Sequence, residues 1–523
     1  MEAFEDEGVF WLPGNESETV AGRLRFDPIE GATLSLTGII ENLMPHFQRA
    51  RGVIRLHGVA GRRYLMLDNC FATNTTYDMP GVARQTYAVG LIISGQLFGQ
   101  DEPLTFDRFA VEFDQLAHWV RRSGVQVSAH APTDTQIMDH VDITFDHVPD
   151  ETVRFGDEEL KLSSTWALRG DNITETSLFQ ATQFELRYPA ARPLDDIFAD
   201  IKWLQDLVTL ATTAPTVPTE VILWRQDIVR DQPESMPGDP KPQAMNYYAG
   251  QIAERVRLKE PQRPERVMFQ FETIGGLLTI ARWIGLARTY AVVVDSLLSI
   301  RYSAGLYAQN RFYNVISAAE SFHRLRFSNE VMPQVKFDQR LDEMISQVEK
   351  KSRQNWLRMK LRYANEPSLA SRLKEMVDYA GSAFAALCAD PGSWVTVVTE
   401  SRNRLTHHDK ERKIEFASGD LYFLAESIFM LVMLCLFREC EVAAETLEAL
   451  GETDGIQFLK SKLDDITTRL NEQVEKIREQ EKAERKKFPD AANNEETATG
   501  QAKNAQTAEP TPERVAEKAL TRS

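Results

Sequence analysis

The chain has little cysteine: Cys70, Cys388, Cys435 and Cys440 are the four in 523 residues. No two form a C-x-x-C pair and no metal-ligand spacing is present, which argues against a structural zinc site and fits small buried thiols in a reducing compartment. Positive charge is not in excess either: 60 Lys and Arg stand against 77 Asp and Glu, a formal net charge of −17. Such a surface repels nucleic acid in general, which argues against broad sequence-independent coating of DNA but leaves room for a local basic pocket on an acidic body. Long apolar runs are missing. The longest, Ser427 to Phe437 between Glu426 and Arg438, is too short to span a bilayer and reads as a buried helix. Met1 to Gly8 is acidic, without a basic start and apolar stretch, so no secretory signal is expected. These absences predict a cytoplasmic protein with no membrane partner. No internal repeat is visible.

What is present suffices for a large core. Hydrophobic residues make up 43% and charged residues 26%, and the length predicts two or three domains. From Gly8 to Tyr188 short runs of β-formers alternate with turn residues, as in Val53 to Gly58, Tyr64 to Leu67, Tyr87 to Gly95, Val125 to Ser128 and Thr182 to Leu186. They predict a mainly β, sandwich-like or jelly-roll-like module. A helix follows from Pro193 to Ala211, with Leu194, Ile197, Ile201, Leu204 and Val208 on one stripe. Breaks rich in Pro, Asp and Gly lie at Asp231 to Pro242 and Pro261 to Pro264.

From Met268 onward the period is helical. Segments Leu277–Leu286, Tyr290–Tyr302, Ala308–Phe327, Phe337–Lys350, Leu369–Leu387, Trp394–Leu405, Leu421–Leu447 and Asp454–Arg478 predict an all-α bundle. Beyond Gln480 large apolar groups almost vanish, which predicts a disordered tail dispensable for folding. The fold class is therefore α+β. Residues 1–265 are expected to form the β-rich front with its trailing helices, 266–475 the helical domain, and 476–523 the charged tail.

One stretch carries candidate chemistry: Glu400-Ser401-Arg402-Asn403-Arg404-Leu405-Thr406-His407-His408-Asp409. It ends a predicted helix and precedes a charged link. Residues four apart on a helix share a face, so Asn403 and His407 point the same way, with Arg402 at the flank. Lys410 and Arg412 add positive charge nearby. The plainer reading is a helix C-terminus decorated with cations that favour the dipole, with Arg404 in a surface pair to Glu400. His408 lies off the Asn403 face and reads as a solvated neighbour. Glu320, inside an apolar helix, either meets a buried arginine such as Arg402 or pairs with Arg324 one turn on. His323 reads as a packed or surface helix residue rather than a second catalytic imidazole, and Trp11, Trp119 and Trp203 as core aromatics. The front-half histidines, His118 and His130 among them, show no metal spacing.

A helical bundle with Arg402-Asn403-x-x-x-His407 between two main helices resembles HEPN domains of the ApeA-like branch. Arg311-Phe312-Tyr313-Asn314 through His323-Arg324 resembles that branch's first signature helix. Phe10-Trp11-Leu12-Pro13, Gly22-Arg23-Leu24, Leu36-Thr37-Gly38, Phe106-Asp107-Arg108-Phe109 and Leu116-Ala117-His118-Trp119 resemble the ApeA N-terminal domain. The resemblance covers roughly residues 8–450. It implies a metal-independent RNase needing no cofactor, in which His407 is general acid or base, Arg402 binds the scissile phosphate and Asn403 orients the imidazole or a phosphate oxygen. Glu320 and His408 would be supporting residues. It also implies an RNA substrate, a homodimer, a role in antiphage defence by abortive infection, and a phage-derived trigger sensed by the front domain. On that reading the front is regulatory, and its deletion leaves an intact RNase fold. The competing reading is a non-catalytic, HEPN-shaped dimerisation or nucleotide-binding protein with a ligand-recognising β domain.

Overall fold

The computed structural model describes residues 1–40, 54–78, 80–130, 140–171, 173–230, 241–303, 305–407 and 414–487. The expected tail beyond 487, the link 408–413 and His408 lie outside the described residues. The chain opens with β1 (Phe4–Trp11), β2 (Val20–Asp27), β3 (Gly31–Thr37), β4 (Ile54–Ala60), β5 (Arg63–Thr76) and β6 (Arg84–Val89). Antiparallel pairs run β4–β1, β1–β2, β2–β3, β3–β6, β6–β5 and β5–β4, so the six strands close into a barrel. Strict alternation fills it: Ala32, Leu34 and Leu36 of β3 point in and their neighbours out. Phe10, Leu24, Phe26, Leu56 and Tyr87 complete its core. A Cβ on Gly58 would lie 2.4 Å from the Phe10 ring, so the strand carries glycine where that ring crosses it.

Where the strand pattern suggested a sandwich, the barrel continues into an open sheet. The remaining strands are β7 (Leu91–Ser94), β8 (Thr105–Phe113), β9 (Val125–His130), β10 (His140–Phe145), β11 (Glu151–Phe155), β12 (Glu158–Gly170), β13 (Thr176–Pro193), β14 (Pro218–Trp224) and β15 (Met245–Tyr248). The single 13-stranded sheet runs β11-β12-β13-β8-β14-β15-β7-β5 and on into the barrel, while β9 and β10 form a separate ribbon. The apolar run Tyr87 to Ser94 is split at Gly90, whose N–H donates to the Asp68 and Asn69 carbonyls. Its first half closes the barrel on β5 and its second half starts the open sheet on the same strand. Leu65, Leu67 and Ile92 enter the barrel core, while Met66 and Ile93 enter a second, larger core.

That second core joins front to back. It takes in Phe109, Phe184 and Leu186 of the sheet, the predicted stripe of α2 (Leu194–Thr212), and the helices that follow. The short α1 (Leu116–Val120) contributes Trp119, whose Nε1 donates to the Phe269 carbonyl at 2.7 Å. The helical half comprises α3 (Gly276–Thr289), α4 (Ala291–Tyr302), α5 (Ala308–Arg326), α6 (Gln334–Ser346), α7 (Lys351–Lys360), α8 (Leu369–Ala380), α9 (Ser382–Leu387), α10 (Pro391–His407), α11 (Asp420–Glu439), α12 (Ala444–Ala449) and α13 (Asp454–Lys487). Trp283 of α3 donates from Nε1 to the Trp203 carbonyl of α2 at 2.7 Å and stacks on Phe437 of α11. Arg288 of α3 bridges Asp200 of α2 at 2.6 Å and Glu158 of β12 at 3.0 Å. A boundary at 265/266 therefore falls inside one packed unit, and the boundary at 475/476 falls inside α13.

The expected helices appear with two corrections. Leu369 to Leu387 breaks at Gly381, where φ is +65°, a conformation glycine tolerates. Leu421 to Leu447 breaks after Glu439, and Glu441 takes φ of 58°. α11 has the length and composition of a membrane span, but 83% of that window is buried inside the protein as the central helix. The four cysteines are buried and free, and burial pushes the Cys388 and Cys440 thiols up to about 12.

Candidate active site at the end of α10

α10 starts at Pro391, where the Asp390 carboxylate accepts from the Ser393 N–H at 3.0 Å. Trp394, Val397, Val398 and Ser401 are buried at helical spacing, and the Trp394 Nε1 donates to the Ser427 hydroxyl of α11 at 2.8 Å. This buried stripe fixes the rotation of the helix and sets Arg402 and Asn403 beside it, both half-buried. The Arg402 guanidinium stands 3.5 Å from the Asn403 side-chain oxygen. His407 is the last residue of the helix, one turn beyond Asn403. Arg402, Asn403 and the His407 backbone thus lie within the last two turns of α10.

Glu400 is more than half of a surface pair. Its carboxylate lies 3.7 Å from Arg404 and 3.3 Å from Arg478 of α13, and both Glu400 and Arg404 are largely covered. α13 therefore clamps the turn that carries the motif. Sequence reading missed Arg478, because a contact spanning that many residues leaves no local periodicity.

Glu320 meets neither of the partners expected for it. Among the described residues Arg324 pairs instead with Glu366 at 2.7 Å, and the charge of Glu320 is felt at Arg372 of α8, behind that of Glu366. α8 packs against both α5 and α10. Arg372 is buried and donates to the Pro367 carbonyl at 3.1 Å, to the Asn329 oxygen at 2.8 Å and to Nδ1 of His323 at 2.9 Å. A guanidinium only donates, so Nδ1 of His323 is the acceptor and Nε2 carries the proton, which it donates to Glu375 at 2.8 Å. Both ring nitrogens are thus committed, and the ring stacks on Phe327. This is the packed histidine expected.

Burial is the main cause that lowers the His323 pKa below 6.5, with Arg372 adding to it. A lowered folded-state value means that this residue's stabilisation is present above about pH 6.5 and is lost as pH falls through the folded value. His323→Gln can still accept from Arg372 and donate to Glu375. It is expected to flatten the loss of stability between about pH 7.5 and 5.5. Urea unfolding at both pH values checks this, and an unchanged pH difference in the variant would refute it.

Among the described residues no three His, Cys, Asp or Glu side chains converge in a way that could hold a metal ion. The cation Arg301 of α4, which sequence reading did not single out, is bound bidentately by Glu426 of α11 at 2.9 and 2.6 Å and lies over Phe429. It locks α4 to the central helix.

A β front thus leads into a helical back in which Arg402-Asn403-x-x-x-His407 closes one helix. The chain belongs to the ApeA N-terminal domain 1 family, whose model matches residues 5–283, more than half of its length. The Apea-like HEPN model matches residues 313–446, from within α5 to within α12 and including the motif. HEPN domains are typically RNases. The first match runs into α3, in keeping with the core that crosses position 265. α13, which clamps Glu400, lies beyond the second. No similar curated protein and no similar solved structure is found.

Proposed function

We propose that this chain is a metal-independent endoribonuclease that acts in antiphage defence by abortive infection, cutting cellular RNA such as tRNA. The observation that carries the reading is the grouping of Arg402, Asn403 and His407 at the end of α10 inside the segment matching the Apea-like HEPN model. In the proposed reaction the His407 imidazole takes the proton of a 2′-hydroxyl, whose oxygen attacks the adjacent phosphorus. The bond to the 5′ oxygen breaks, that oxygen receives a proton, and the products are a 2′,3′-cyclic phosphate and a 5′-hydroxyl. In a two-fold pair of chains the second copy's motif supplies the acid. Arg402 grips two non-bridging oxygens and stabilises their charge as the phosphorane forms, and Asn403 orients the imidazole or a phosphate oxygen.

Purified full-length protein incubated with total RNA tests this. Cleavage is expected to persist in chelator. Arg402→Lys is expected to lower the rate by about 10- to 100-fold, because lysine keeps the charge but loses the two-pronged contact. Cleavage abolished by chelator and restored by a divalent cation would remove the metal-independent mechanism. Activity unchanged in Arg402→Lys would remove its phosphate clamp.

A further inference from the structure

Between α5 and α8 the chain leaves the bundle and returns. α6 and α7 pack on each other around a small core of Phe337, Leu341 and Ile345, separate from the main one, with Leu357 and Leu361 against it. The base of this arm is pinned by Asn365, whose side chain bonds the Met332 N–H at 3.1 Å and the Met332 carbonyl at 2.9 Å.

Two features of α7 set it apart. Residues 350–363 hold six Lys and Arg and no Asp or Glu, in a chain of net charge −17. Arg358 is paired with Asp342 at 2.7 Å, and among the described residues the other five cations make no ion pair. The second feature is an outward aromatic stripe. Trp356 is 51% exposed, Met359 71% and Tyr363 63%, and Trp356, Met359 and Arg362 line an open concavity of about 680 Å³. α7 buries none of its own residues fully.

We propose that the α6–α7 arm is a docking site for single-stranded RNA, with Trp356 and Tyr363 stacking on bases while Lys351, Arg353, Lys360 and Arg362 follow the phosphates. The choice of ligand rests on the ribonuclease reading above. The physical case is charge complementarity together with stacking platforms, the pairing by which sequence-tolerant single-strand binders hold their ligand. A lipid surface fits less well. Leu357 of this ten-residue helix and Leu361 just beyond it pack against the arm's own core, and Ser352, Asn355 and Arg362 interrupt the outward stripe, leaving no continuous apolar face to insert.

The test uses the full chain and a single-stranded 2′-O-methyl oligonucleotide of about 16 nucleotides, which has no 2′-hydroxyl to attack, so binding is read without cleavage. Trp356→Ala is expected to weaken binding about 10-fold. The triple variant Arg353→Gln, Lys360→Gln, Arg362→Gln is expected to lower the slope of log affinity against log salt by about 2. Circular dichroism and melting should be unchanged, since these side chains lie outside the Phe337 cluster. Wild-type affinity and slope in both variants would overturn the proposal. So would loss of binding to phosphatidylserine vesicles in Trp356→Ala while oligonucleotide binding stays intact. If wild type cleaves RNA in a His407-dependent way yet the arm variants bind normally, the arm assignment alone falls. If the arm variants lose binding while no form of the protein cleaves RNA, the arm stands and the ribonuclease reading falls.

Discussion

His407→Ala is expected to lower RNA cleavage by about 10²–10⁴-fold, the usual contribution of a positioned general acid or base. The fold should survive, because His407 ends α10 and the buried stripe of that helix stops at Ser401. An unperturbed imidazole titrates near neutrality, so it can take a proton and return one at physiological pH without an extreme environment. His408→Ala serves as the control and should be mild. Arg402→Ala is expected to be as severe as His407→Ala, which separates a phosphate clamp from a cation that only decorates a helix end. The decisive measurement is cleavage of RNA by wild type and His407→Ala at matched circular dichroism. Equal rates would favour the non-catalytic, HEPN-shaped binding protein.

A fragment starting near residue 266 is expected not to fold, contrary to what the sequence implies. The cut removes α2 and the sheet from beneath α3, uncovering Leu277, Ile280, Trp283 and Ile284, all buried in the intact chain. Burying each large apolar side chain is worth about 1.5–3 kcal/mol, and a domain's whole margin is about 5–15 kcal/mol. Arg288 would at the same time lose both carboxylates that hold it, and the Trp283 indole its acceptor. The result should be an aggregating or molten helical fragment without a sharp near-ultraviolet signal. A cooperative melt of residues 266–487 near that of the full chain would show that the helical half stands alone. On that outcome the β front supports the helical half, and variants that probe the front should be substitutions within it rather than deletions.

The elements that were legible in sequence were those written in local periodicity. The alternation of Ala32, Leu34 and Leu36, the stripe of α2 and the apolar face of α11 each follow from a period of 2 or 3.6. The spacing of Arg402, Asn403 and His407 was legible for the same reason, since one helix carries all three. What joins distant segments was not. Barrel closure depends on β6 returning to β5, Glu400 on Arg478, and Arg301 on Glu426. The break at Gly381 was marked only by a single glycine in an otherwise helical pattern, and α7 was missed because cations and exposed aromatics leave it little apolar stripe. Nor was the packing across position 265 legible, because Pro261 to Pro264 punctuates the backbone while buried residues on both sides share one core.

β5 is a wall with a room on either side. Its odd residues Leu65 and Leu67 furnish the barrel and its even residue Met66 the core shared with the helices, and β7 repeats the pattern with Ile92 and Ile93. Moving this strand by one residue would exchange the contents of the two rooms, so intermediate registers are forbidden on both sides at once. Anything that widens the barrel therefore disturbs strands whose Met66 and Ile93 belong to the larger core as well.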